Sequence, residues 1–290
     1  MTVGLVQHAS RHNKERNVAQ ACAGIREAAG RGASLVVLPE LFASDYFCQS
    51  EDPAHFDLAE HLDGPTVTTV GRLAQELKLV VVVPVFERRA RGLYHNSLVV
   101  VGPEGSSLGV YRKMHIPEDP QFCEKFYFTP GDLGFSPIQT PLASLGTLIC
   151  WDQWFPEAAR AMALAGAELL VYPTAIGWMP SEKEALGAAQ LDAWRTIQRS
   201  HAIANGTFVI AANRVGTERS AAGELEFWGH SFVCDPSGRV IGEAGTGEEV
   251  LVVSCDLQAI EEQRRWWPFF RDRRIDAYDG LSERWLGGKE

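Results

Sequence analysis

The amino-acid sequence predicts an α/β fold of four layers, an αββα sandwich in which two sheets pack face to face with helices outside each. Three observations lead there. Short apolar runs alternate with helical patterns. Those runs are apolar throughout rather than alternating, as in sheets covered on both faces. The order of elements also recurs. Ala33 to Pro39 finds an echo in Ala167 to Pro173, and Ser97…Pro103…Gly105 in Ser231…Pro236…Gly238, at one shared offset of 134 residues (173 − 39 and 231 − 97). Two echoes at one offset predict two β-α-β-α-β-hairpin halves related by a pseudo-twofold axis, in a single domain over residues 1–290 with no linker between them.

Each element has its own signal. Val3 to Gln7 is a short apolar strand; Asn13 then caps a helix whose face is Val18, Ala21, Cys22, Ile25 and Ala29, ended by Gly30 and Gly32. Ser34 to Glu40 is a buried strand closing on a proline and a carboxylate, followed by a loop from Phe42 to Pro53. A helix over 65–78 and a strand over 79–86 come next, then strand, tight turn and strand over 97–111. In the second half the first strand, Gly146 to Cys150, matches Gly4 to His8. Pro156 and Glu157 open the helix that Ala158 to Ala165 continue. A thiol at that strand-to-helix turn would lie near the positive end of a helix dipole, a setting that favours thiolate.

Composition narrows the function. The chain has 290 residues, 46% apolar and 22% charged, and a formal charge of −10, without the basic stripe that nucleic-acid binding needs. No uncharged apolar run approaches the ~20 residues of a membrane span. MTVGLVQHAS has no signal-peptide pattern, so reduced thiols and a cytoplasmic setting are expected for the six cysteines. The eight histidines show no HExxH or His/Cys ligand spacing, so no metal is expected, and nothing resembles a P-loop or a GxGxxG opening a helix after a strand, so no nucleotide cofactor is expected.

Under the repeat, Glu40, Lys113 and Cys150 all fall just past strand ends, where open α/β sheets commonly bind ligands. Together they meet the needs of acyl transfer: a nucleophile, a base, and a cation for the developing oxyanion, with the backbone N–H of Trp151 as a second donor. The apolar neighbours of Glu40 (Leu38, Pro39, Leu41, Phe42) suit it to taking the cysteine proton. A Cys–His hydrolase, with His115 or His230 as base, is the rival chemistry; a catalytically silent binding protein is the rival class.

Leu38 to Phe42, Tyr111 to Pro117, and Cys150-Trp151-Asp152 resemble the three signature segments of the nitrilase superfamily of carbon–nitrogen hydrolases, in the same order and across essentially the whole chain. The resemblance implies the same αββα fold, a Glu-Lys-Cys triad, and a second site glutamate, for which Glu124 stands at the matching place. Phe42 to Gln49, His115 to Asp132, Cys150 to Arg160 and Thr174 to Trp178 further resemble the branch that cleaves N-carbamoylputrescine to putrescine, ammonia and carbon dioxide. The charges agree. A carboxylate-tailed substrate would want an arginine near the lysine loop, whereas that loop carries Glu118 and Asp119. A pocket with His115 and Thr174, ringed by Asp45, Glu118, Asp119 and Asp152 and walled by Tyr46, Phe47 and Trp178, suits a ureido or amide substrate with a cationic amine tail. The alternative is another amidase of the superfamily, acting on N-carbamoyl amino acids or ω-amides. The aromatic, arginine-rich segment from about 263 to 290 is expected to be an interface, and the resemblance implies a homo-oligomer.

Overall fold

The computed structural model describes residues 1–287. The first half runs β1 (Thr2–Gln7), α1 (Lys14–Gly30), β2 (Leu35–Val37), α2 (Pro65–Leu77), β3 (Val80–Ala90), β4 (Leu93–Val101) and β5 (Ser107–Arg112). A short helix, α3 (Glu124–Tyr127), and β6 (Ile138–Gln139) lead to the second half. That half runs β7 (Ser144–Thr147), α4 (Pro156–Leu164), β8 (Leu169–Pro173), β9 (Gly177–Trp178), α5 (Pro180–Asn205), β10 (Phe208–Ala212), β11 (Val215–Ser220), β12 (Gly223–Trp228), β13 (Phe232–Cys234) and β14 (Val240–Glu243). β15 (Glu249–Ser254) and α6 (Gln258–Trp266) follow.

The strand orders are β15-β1-β2-β3-β4-β5 and, read from the other end, β6-β7-β8-β10-β13-β14. In each sheet the second to fourth strands are parallel and the rest antiparallel, so the two match strand for strand. The repeat read from the sequence is therefore a repeat of structure. Its edge strands are exchanged, because β15 follows the second half yet pairs with β1 of the first sheet. β9, β12 and β11 form a small third sheet.

Alternation along the strands makes the layers. Val3, Leu5, Leu35, Val37, Val80 and Val82 face the core between the sheets. Val6, Val36, Leu38, Val81 and Val83 pack outward against α1 and α2. Every position is apolar because both faces are covered. The matched residues Gly4 and Gly146 mark where helices approach most closely. A Cβ on Gly4 would come within 2.7 Å of Ala28, and one on Gly146 within 3.0 Å of Met162.

Three local expectations change. Asn13 does cap α1, accepting from the Arg16 N–H at 3.0 Å, but the buried face is Asn17, Ala21, Gly24, Ile25 and Ala28. Size misled the reading, since small residues are what let this helix lie close to β1. β3 runs past Phe86 and β4 starts before Ser97, because the polar residues next to them are buried with partners: Glu87 takes Arg112 and Ser97, and Asn96 donates to Glu40. Cys150 does not adjoin a long helix. It opens a 3-10 turn, Cys150–Trp154, ahead of α4, and a helix dipole fades within a turn.

Candidate active site

β2, β5 and β7 deliver three side chains to one place. Glu40 lies three residues past β2, Lys113 directly past β5 and Cys150 three past β7. Glu124 opens α3 beside them. All four are buried. The Lys113 Nζ donates to Glu40 Oε1 at 2.8 Å and to Glu124 Oε2 at 2.6 Å. Asn96, from β4, donates to the same Glu40 oxygen at 2.7 Å, which leaves Glu40 Oε2 buried and without a donor among the described residues. Glu124 is held from its other side by the Tyr46 hydroxyl at 2.7 Å. Neither Lys113 nor its neighbour Arg112 is a surface charge: Arg112 is itself buried and tied to Glu87 at 2.7 and 2.8 Å.

Electrostatics give each group its state. Burial and the nearby Glu40 carboxylate push the Cys150 thiol well above its ordinary range, outweighing Lys113. The expected thiolate is thus a thiol at rest, and attack requires a base. Burial would lower the pKa of Lys113, but Glu124 and Glu40 outweigh it and hold the ammonium charged. Burial raises Glu124 above the usual carboxylate range despite Lys113. The backbone is strained at the same points: Cys150 has φ +41° and Leu41, just after Glu40, φ +49°. Non-glycine residues pay for that conformation, and functional sites are where it persists. Trp151 is the second residue of the 3-10 turn, where backbone N–H groups lack intrahelical partners and can meet an oxyanion.

A cavity of about 380 Å³ opens on this cluster, lined by Glu124, Cys150, Trp151, Asp119, Glu182, Gln190, Trp154 and Trp228 among others. A larger groove of about 830 Å³ lies between α1 and α2 and touches none of the four. Volume alone would have chosen the wrong place.

Of the expected pocket residues, only Asp119 lines the cavity. Asp45 instead accepts from Ser10 at 2.5 Å and His12 at 3.0 Å in a separate surface hollow. Tyr46 is not a wall but the partner of Glu124, and Phe47 stacks on Phe86 in a buried aromatic cluster. Glu118 is exposed and accepts from the Lys125 N–H at 3.2 Å. Thr174 is fully buried, donating to the Tyr172 carbonyl at 3.1 Å. Trp178 donates to the Gly187 carbonyl at 3.1 Å and packs on Trp228.

Asp152 and His115 are corrected most sharply. Asp152 Oδ2 accepts from the Tyr111 hydroxyl at 2.8 Å and the Ile149 N–H at 2.9 Å. Its Oδ1 meets the His115 N–H at 3.0 Å and His115 Nδ1 at 2.7 Å. The carboxylate therefore clamps residues on both sides of Lys113 to the nucleophile turn and has nothing left for a ligand. The His115 ring stacks on Phe155 at 3.7 Å, and His230 bonds Glu243 at 2.9 Å, so each candidate histidine base is engaged elsewhere.

Sequence reasoning missed Asn96, Glu182 and Gln190. Asn96 had a signal: His95-Asn96-Ser97 interrupts an apolar strand with polar residues that need buried partners. Glu182 and Gln190 had none, being ordinary helix residues. Among the described residues, no three or more metal-binding side chains converge, and no helix is long and apolar enough to cross a membrane.

A buried thiol, a carboxylate with one open oxygen and a lysine held by two acids, placed at strand ends of an αββα sandwich, define a thiol hydrolase acting on carbon–nitrogen bonds. The chain belongs to the carbon–nitrogen hydrolase family, whose model matches residues 2–265. It is 44% identical to the N-carbamoylputrescine amidase of Solanum tuberosum, over 97% of this chain and 94% of that one. It is 40% identical to the citrullinase of Francisella tularensis, over 98% of each. The crystal structure of a carbon–nitrogen hydrolase from Helicobacter pylori G27 superimposes with a TM-score of 0.96 at 48% identity, covering 99% of both chains.

Proposed function

We propose that this protein hydrolyses N-carbamoylputrescine to putrescine, ammonia and carbon dioxide. The observation that carries this reading is the charge of the cavity. Its lining bears Asp119 and Glu182 besides Glu124, and no arginine or lysine among the described residues. A primary ammonium is welcome on such a wall and a lone carboxylate is not.

In the reaction, Glu40 takes the Cys150 proton and the sulfur attacks the ureido carbonyl. Lys113 and the Trp151 N–H stabilise the oxyanion, and the departing nitrogen takes a proton from Glu40. A water, activated by Glu40 or Glu124, then releases the acyl group from sulfur. One water is consumed overall. A second reading is a ureido amino acid such as citrulline. It is favoured by the indole N–H groups of Trp154 and Trp228, which line the cavity and have no acceptor among the described residues. Ammonia release from carbamoylputrescine, citrulline, N-carbamoyl-β-alanine and a short amide distinguishes these. Carbamoylputrescine is expected to have the highest kcat/KM, and citrulline ranking first would overturn the proposal.

We also infer a homo-oligomer built through the C-terminal segment. Part of it packs on its own chain: Arg264 donates to the Asn205 carbonyl at 3.1 Å, and Arg160 and Arg264 flank Phe270. Beyond that, Trp266, Ile275, Leu281, Trp285 and Leu286 are exposed, Trp285 to 81%. Apolar surface on that scale marks an interface. Removing residues 275–290 should lower the mass measured by light scattering in solution; an unchanged mass would remove the idea. Residues 288–290 lie outside the described part of the chain.

A further inference from the structure

The cavity that opens on the Cys150 cluster is also lined by Glu182 and Gln190. Glu182 stands in the first turn of α5, half-buried, and accepts from Gln190 Nε2 at 3.2 Å. The carbonyl oxygen of that amide, Gln190 Oε1, is buried and has no donor among the described residues. A carboxylate beside an unpaired carbonyl offers two acceptors to one group rich in N–H, and a primary ammonium carries three such donors. Asp119, the other acid on the wall, sits on an exposed tight turn closed by the Phe122 N–H at 2.8 Å. The unpaired amide oxygen of that turn, Gln121 Oε1, is not part of the cavity lining, whereas Gln190 is.

The same helix is bound to the nucleophile. Trp194 Nε1 and Gln198 Nε2 donate to Gln153 Oε1 at 2.7 and 2.9 Å, and His201 Nε2 meets the Gln153 carbonyl at 2.7 Å. Gln153 belongs to the turn that Cys150 opens. One continuous helix thus carries Glu182 near its start and grips the nucleophile turn further along.

Resting on the functional reading above, we propose that Glu182, with Gln190, is the seat of the substrate's distal ammonium, and that α5 sets the length of substrate the enzyme prefers. Because the helix is rigid, the distance from Sγ to the carboxylate is set by the fold. Selectivity for the number of methylenes between ureido and ammonium groups follows from it.

The test uses the full-length enzyme with ω-carbamoylated diamines of three to six methylenes and with N-pentylurea, whose terminal methyl replaces the ammonium. Glu182→Gln should cut the preference for the cationic over the neutral substrate by about 10–100-fold, mainly through KM, since the contact acts equally in ground and transition states. Glu182→Asp withdraws the carboxylate by one C–C bond, about 1.5 Å, and should move the best substrate one methylene longer. A cationic preference that survives Glu182→Gln, or an optimum that Glu182→Asp leaves in place, overturns the proposal. Wild-type enzyme inert on every carbamoylated diamine would overturn the functional reading and this proposal together, so the two failures are distinct.

Discussion

Glu40→Gln should reduce kcat by about 10³–10⁴-fold, the size of a lost general base at an essential proton transfer. Burial and the surrounding carboxylates keep the Cys150 thiol protonated, so Lys113 alone cannot generate the nucleophile. Glutamine preserves the volume of Glu40. Its carbonyl oxygen can still accept from Lys113 and Asn96, which now bond Oε1 at 2.8 and 2.7 Å. Its amide takes the place of the open Oε2 and accepts no proton. The variant should therefore fold like the wild type while iodoacetamide modifies Cys150 far more slowly, read by mass spectrometry of the labelled chain. A Cys–His mechanism expects appreciable turnover from the same variant, and that result would sink the role assigned to Glu40.

Lys113→Met should harm both activity and stability. The ammonium lies between Glu40 and Glu124 with its side chain fully buried. Methionine fills the space but leaves two buried carboxylates facing each other, and losing one partner of a buried charge set costs about 3–5 kcal/mol. The sign with pH is definite. Burial already raises Glu124, and without the cation its folded-state pKa rises further above its unfolded value. Such a group supports the fold while protonated, and that support is lost as pH rises from the unfolded towards the folded pKa. Thermal melts should then show the gap between Lys113→Met and wild type widening from pH 5 to pH 8. A constant gap would mean that Lys113 does not neutralise the pair.

Much of the fold was legible in the chain. Continuous apolar strands, helix stops and the 134-residue offset predicted two matched sheets with helices outside, because periodicity and punctuation are local properties. Glu40, Lys113 and Cys150 could be singled out as a set too, since few residue types can act as base, cation and nucleophile and each follows a recognisable strand; the structure gathers them in one place.

The substrate pocket was not. Asp45, Tyr46, Glu118, Asp152 and Glu182 differ little as letters, and each could have faced a ligand. Packing made Asp152 a buried clamp, turned Tyr46 onto Glu124, carried Asp45 to another surface and left Glu182 on the cavity wall. Asn96 acquired its place because β3 and β4 continue as one ladder beyond the apolar runs of 79–86 and 97–101. The sequence by itself determined the layered fold and the reaction class. The tertiary structure alone decided which acids line the cavity and whether the thiol rests protonated. Both depend on burial and on which side chains share a space, and those are set by contacts between residues far apart in the chain.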